Sequence, residues 1–172
     1  MKAARRDPRR RAREIALQIL YQWDVARTDV STAADTYFDL QWAGSETPPA
    51  DLRTAATELA HDTIRRLAES DALIAEAAER WRPERMAVLD RLILRMAIAE
   101  LLSQNPSGIS SQSHGVSGGQ SLGPTRSAES PPSAVIINEA LELARTFSSE
   151  ESVKFINGML DAIRKRVEAP KT

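Results

Sequence analysis

Cysteine does not occur anywhere in the 172 residues. That excludes a disulfide framework and any thiolate-held metal centre. Aromatic residues make up only 5% of the chain. No stretch approaches the roughly 20 consecutive apolar residues that a membrane-spanning helix requires. The basic amino terminus has no apolar run behind it, so it does not read as a secretory signal. Convincing strand-period alternation is missing too, as are a phosphate-binding glycine loop behind a strand and a G-x-S-x-G elbow. The absences together point to a cytoplasmic, all-helical protein, a single domain over residues 1–172, and they leave an enzyme or a cofactor without support in the residues.

What is present is a chain that is 42% hydrophobic and 27% charged, ordinary globular proportions. Its charge is unevenly placed. Residues 1–13 hold Lys2, Arg5, Arg6, Arg9, Arg10, Arg11 and Arg13 against Asp7 alone, a local net of +6. Since the whole chain carries −1, the remainder carries −7. A basic arm on an acidic body suggests an anionic partner met at one end.

Helix signals follow one another along the sequence. Asp7 can cap a helix with Pro8 in its first position, and Ala12, Ile15, Ala16, Ile19, Leu20 and Trp23 recur at helical spacing. Residues 1–7 are expected to form a flexible arm ahead of it. A second helix is predicted over Thr32–Gln41, and a third after Pro48-Pro49, running to about Ala68. Ser70 is expected to cap a short fourth helix, and Arg82-Pro83 to break the chain. Glu84–Leu102 is apolar on most of its circumference, as a central buried helix would be. Two more helices are predicted over Pro132–Thr146 and Ser149–Val167, the last begun by a Ser148/Glu151 capping box. Between them, residues 103–130 contain nine serines, five of the seven glycines and little charge. Such a segment reads as a disordered insertion.

Candidate chemistry is concentrated in the basic residues. Guanidinium groups bond phosphates bidentately and stack on unpaired bases, which suits single-stranded RNA. Arg9 and Arg13, four apart, share a helical face. Lys154 and Phe155 offer a cation and an aromatic near the start of the last helix, although Phe155 also fits the core stripe with Met159 and Ile163. Leu17 and Tyr21 fall opposite the core stripe of the first helix, either packed on a second layer or forming a protein-binding patch. Glu58 and His61 have the i, i+3 spacing of di-metal bundles, but the second copy and the extra carboxylates such a site requires are missing. His114 lies in the insertion. Gly158, inside the last helix, suggests a closely approaching neighbour.

The segments Arg9-Arg10-Arg11-Ala12-Arg13-Glu14, Leu20-Tyr21-Gln22-Trp23, Leu94-Arg95-Met96-Ala97-Ile98-Ala99-Glu100-Leu101, Ala134 to Ala144 and Lys154-Phe155-Ile156-Asn157-Gly158-Met159-Leu160-Asp161 resemble, in order, those of the NusB family. The resemblance implies two small packed helical bundles and a transcription antitermination factor without catalytic activity. It implies pairing with NusE, a small-subunit ribosomal protein, to bind boxA RNA of ribosomal operons within an RNA polymerase complex. Carried over by position, Arg9, Arg10, Arg13, Lys154 and Phe155 would contact RNA and Glu151 would influence that binding. Tyr21, Glu84 and Asp90 would face the protein partner. The family joins the central helix to the Pro132-x-x-x-x-Ile137-Asn138-Glu139 helix by a few residues, so the Ser/Gly-rich stretch is a departure. The rival reading is a NusB-like fragment of an rRNA cytosine methyltransferase, which would need a catalytic domain and a nucleophilic cysteine elsewhere; a structural helical protein is a third. Monomer and homodimer both stay open. Alanine at Arg9, Arg10 and Arg13 together is expected to weaken RNA binding without lowering the melting temperature.

Overall fold

The computed structural model describes residues 7–44, 47–78, 86–104 and 131–169. Most of the expected arm, the Arg82-Pro83 break, Glu84, His114 and residues 105–130 of the expected insertion lie outside them. Among the described residues there are seven helices and no strand: α1 (Pro8–Ala26), α2 (Val30–Gln41), α3 (Ala50–Arg65), α4 (Leu67–Ala77), α5 (Val88–Gln104), α6 (Ser133–Phe147) and α7 (Glu150–Glu168).

Side-chain caps set the starts of α1, α2 and α7. The Asp7 carboxylate accepts from the Arg9 backbone N–H at 2.9 Å, with Pro8 in the first turn, where its missing N–H costs nothing. Asp29 caps α2 by accepting from the Thr32 N–H at 3.0 Å. The cap of α7 is Ser149, which accepts from the Ser152 N–H at 3.1 Å, so the predicted Ser148/Glu151 box is displaced by one residue. Ser148 instead turns its hydroxyl to Asp90. The expected long third helix ends at Arg66 and α4 begins directly after it. Ser70 is therefore no cap: it lies inside α4, wholly buried. Ser103 and Gln104, assigned to the insertion, complete the last turn of α5.

α1, α2 and α3 form one bundle, α4 to α7 the other, and α5 packs on α1 and α3 as well as on α4, α6 and α7. All eight residues from Leu92 to Ala99 are buried. Burial on every side explains the nearly continuous apolar run, since a helix with one wet face would show a polar stripe. Leu17, expected off the core, is also buried, because α1 is covered by a second layer. Phe38 of α2 and Ile136, Ile156 and Ile163 of α6 and α7 extend the same core.

Charged residues on the central helix are matched from neighbouring elements. Arg95 makes two bonds to Asp71 of α4, at 2.7 and 2.8 Å. Glu100 receives Arg13 of α1 bidentately, at 2.9 and 2.6 Å, with both side chains largely buried. Burial works against the Arg13 charge, but the Glu100 hydrogen bonds and the surrounding carboxylates outweigh it and raise the pKa. Arg91 approaches Asp24, near the other end of α1, at 3.5 Å. These two pairs set α1 antiparallel to α5.

Two outcomes follow from the packing. Gly158 is exposed, and a Cβ built there meets nothing within 4 Å, so the expected close neighbour is absent among the described residues. Gly158→Ala should raise stability by about 1 kcal/mol in urea titrations, because only the backbone entropy of glycine is removed. Arg13→Ala should cost about 3 kcal/mol by stranding the Glu100 carboxylate, whereas Arg13→Met with Glu100→Leu should recover most of that loss. The triple alanine variant is thus expected to melt early, contrary to the reading from sequence, and a single Arg13→Ala of unchanged stability would refute the pairing.

Candidate nucleic-acid interface

The amino-terminal turns of α1 distribute four arginines around one helix. Steps of about 100° per residue point successive side chains at different neighbours. Arg9 faces solvent, with no carboxylate partner among the described residues. Arg10 reaches α6, where Glu139 accepts at 3.1 and 3.3 Å and Glu142 lies at 3.5 Å. The Glu139 hydrogen bond, opposed by slight desolvation and aided by the charges of Glu139, Glu142 and Glu14, raises the Arg10 pKa. Arg11 is exposed, with its guanidinium carbon 6.0 Å from the centre of the Trp42 ring at the end of α2. Arg13 is held in the interior by Glu100. Of the three arginines that sequence placed on RNA, only Arg9 presents an uncommitted guanidinium.

Lys154, Phe155 and Glu151 meet elsewhere, in a cleft of about 470 Å³ walled by Met86 and Asp90 of the neighbouring segment. Lys154 and Glu151 are exposed, and Phe155 is half-buried against the core. Asp90 is 7% exposed, and its two oxygens accept from the hydroxyls of Ser148 (2.5 Å) and Ser152 (2.6 Å). Its carboxylate thereby ties the α6–α7 corner to the start of α5 and is not free to meet a partner. Glu100, which marks the arginine end, lies ten residues along α5 from Asp90, about 15 Å at the α-helical rise. The two sets of expected RNA residues are therefore separate stations on the surface.

Between α1, α2, α5 and α6 runs an open, mostly apolar groove of about 520 Å³, lined by Leu17, Tyr21, Val25, Tyr37, Leu89 and Phe147 among others. Tyr21 is 45% exposed and Val25 58%, although both are large hydrophobic residues. Leu89 and Phe147 stand next in sequence to Asp90 and Ser148, so this groove adjoins the Lys154 cleft. The i, i+4 spacing of Leu17 and Tyr21 located the groove, but it did not reveal that Leu17 is its floor and Tyr21 its rim. Trp42 and Arg11 were not singled out from sequence; an aromatic after a helix and one more arginine in a run carry no distinguishing signal.

No group of three metal-ligating side chains forms among the described residues. The His61 ring nitrogen lies 3.3 Å from the Ser31 hydroxyl, and Glu58 is exposed. No described helix is long and apolar enough to cross a membrane.

The model of the NusB family matches residues 10–109 and 127–165, leaving 110–126 unmatched inside the Ser/Gly-rich stretch. The transcription antitermination protein NusB of Solibacter usitatus is 41% identical over 94% of this chain and 92% of its own length. That of Koribacter versatilis is 37% identical, covering 95% and 92%. Among solved structures, T. maritima NusB superposes with a TM-score of 0.68 at 27% identity, covering 96% of this chain and 93% of that one. A crystal structure of antitermination factors NusB and NusE with double-stranded RNA gives 0.69 at 21% identity, covering 92% and 97%, a likeness of fold. With the family model spanning most of the chain on both sides of the insertion, and with relatives this similar along nearly their full length, the chain belongs to the NusB family of non-enzymatic transcription antitermination proteins.

Proposed function

We propose that this chain acts in the cytoplasm by binding boxA-type single-stranded RNA of ribosomal operons jointly with a NusE-type small-subunit ribosomal protein, within an antitermination complex of RNA polymerase. The observation that carries the reading is the identity to antitermination proteins over almost the entire chain. The solved assembly of NusB and NusE with double-stranded RNA, of the same fold, supports RNA and a NusE-type protein as the partners. Relatives matched along 92% of their own length are antitermination proteins, so nothing favours the methyltransferase-fragment alternative.

In this reading Arg9 supplies a phosphate contact at the start of α1, and Lys154, Phe155 and Glu151 form a second contact in their cleft. Arg10 and Arg13 act mainly by fixing the α1 end against α6 and α5. Tyr21 on the groove rim is the aromatic anchor for the protein partner, the residue type and half-exposed setting of an interface hot spot. Glu84 belongs to the same proposed surface but lies outside the described residues. Asp90 supports it through the corner that it holds. A second copy of the chain is the competing occupant of the groove.

Binding of a boxA oligonucleotide, with and without NusE, is measured by fluorescence anisotropy across a salt series. Each phosphate contact to single-stranded RNA contributes about −0.7 to the slope of log K against log salt. Arg9→Ala should flatten the slope by about that amount, and an unaltered slope removes Arg9 from the interface. Tyr21→Ala should weaken NusE capture at least roughly tenfold while leaving the melting temperature in place. Loss of self-association with intact NusE capture would assign the groove to a homodimer instead.

A further inference from the structure

The partition of the α1 arginines leaves Arg11 with no place in the reading above. It is exposed and has no carboxylate partner among the described residues, yet it is not loose, because it lies over Trp42. Trp42 is itself fixed from below. Its ring sits 5.4 Å from that of Phe38 at a tilt of 33°, and Phe38 is 1% exposed. Tyr37 meets both rings edge-on, at 5.4 and 6.5 Å. Arg53 covers Phe38 at 4.9 Å and pairs with Asp35 at 2.8 Å, which neutralises that α2 carboxylate. Burial raises the Tyr37 phenol pKa, while the Arg11 and Glu14 charges act on it in opposite senses, which places both near the cluster.

A rigid, half-exposed indole carrying a guanidinium with no carboxylate partner among the described residues has the composition of a stacking platform. Unpaired bases stack on aromatic rings and on arginine planes alike, and the arginine charge adds attraction for the adjoining phosphate. We infer that Arg11 and Trp42 form a base-stacking subsite for single-stranded RNA, where an unpaired nucleotide lies against the platform and its phosphate is drawn to the Arg11 charge. The inference rests on the proposed RNA-binding function and extends it from α1 onto the end of α2.

The test uses the full chain with a fluorescein-labelled single-stranded dodecamer of mixed sequence, with and without NusE. Arg11→Gln should weaken binding at least about fivefold, as loss of a stacking contact does. Arg65→Gln, which removes an exposed guanidinium of α3 paired with Asp62 and outside every proposed contact, should change affinity less than about twofold, within the range of surface substitutions. Trp42→Phe, which keeps a ring, should retain affinity within about twofold, and Trp42→Leu should lose it. Unlabelled RNA should quench tryptophan emission in the native chain and much less in Trp42→Phe, assigning the signal to this indole over Trp23 and Trp81. Should Trp42→Leu fail to fold, the Arg11→Gln affinity and the native quenching decide alone. RNA binding that weakens with Arg9→Ala but is indifferent to Arg11→Gln, with no quenching from Trp42, overturns the subsite and leaves the antitermination reading standing. No binding of boxA RNA by the native chain with NusE overturns both.

Discussion

Burial of α5 on every side is the constraint from which the remaining architecture follows. A helix wrapped by α1, α3, α4, α6 and α7 can hold polar groups only where a neighbour satisfies them, because an unpaired buried charge costs several kcal/mol, on the order of 3–5. Its charged residues each meet a partner, with the Arg91 Nε alone among their buried atoms left without a hydrogen bond. Arg95 takes Asp71, Arg91 takes Asp24, Glu100 takes Arg13, and Asp90 takes the hydroxyls of Ser148 and Ser152. The partners come from α1, α4 and the α6–α7 corner. The pairs therefore fix the direction of α1, the seat of α4 and the corner between α6 and α7, which hydrophobic contact alone would leave free to slide.

The same rule divides the basic segment into internal and external parts. Seven basic residues in the first thirteen look like one patch on paper. In the folded molecule Arg13 is spent inside and Arg10 is held by two carboxylates of α6, so a phosphate reaching Arg10 would have to displace Glu139. Exchange of one anion for another at a guanidinium gains little, and the displaced carboxylate would then repel the ligand. Arg9 and Arg11 face no such competition. An acidic body with a few uncommitted arginines at one end also orients an incoming polyanion towards that end, as a uniformly basic surface would not.

Much of the fold was legible because helix formation is local. Asp7-Pro8 and the apolar spacing of α1, α6 and α7 each act within a few residues, and the starts of α1, α2, α6 and α7 lie within two residues of where the sequence puts them. The break at Arg66 was not legible: no glycine or proline marks it, and the chain turns there because α3 and α4 pack on different neighbours. Ser148 and Ser149 are equivalent as letters, and only the pull of Asp90 on Ser148 decides which becomes the cap. The candidate site was legible in composition and not in geometry. Arg13 and Glu100 are 87 residues apart, and nothing in either segment announces the other. A helical wheel gave Leu17 the right direction but could not show that a second layer waited there.

The interruption between α5 and α6 shows how a family fold absorbs a long departure. The family model resumes at residue 127 after stopping at 109, and the described residues on either side are joined to each other. The Gln104 side-chain Nε2 donates to the Pro131 backbone carbonyl, and the Ser133 hydroxyl donates to Gln104 Oε1 at 2.9 Å. With the last turn of α5 and the first of α6 clasped in this way, the helix pair has its geometry from its own contacts, whatever length of chain connects it. Each doubling of a connecting segment adds only about 0.6 kcal/mol of closure cost. That sum is small beside the burial of Leu101, Ile136 and Ala140 on the facing helices, where a single large side chain contributes about 1.5–3 kcal/mol. The α5–α6 packing can thus tolerate the added residues. The end of the fold that bears them is also the end at which Arg10 and Arg13 bind Glu139 and Glu100, so the clasp keeps the carboxylates of both helices in register with α1.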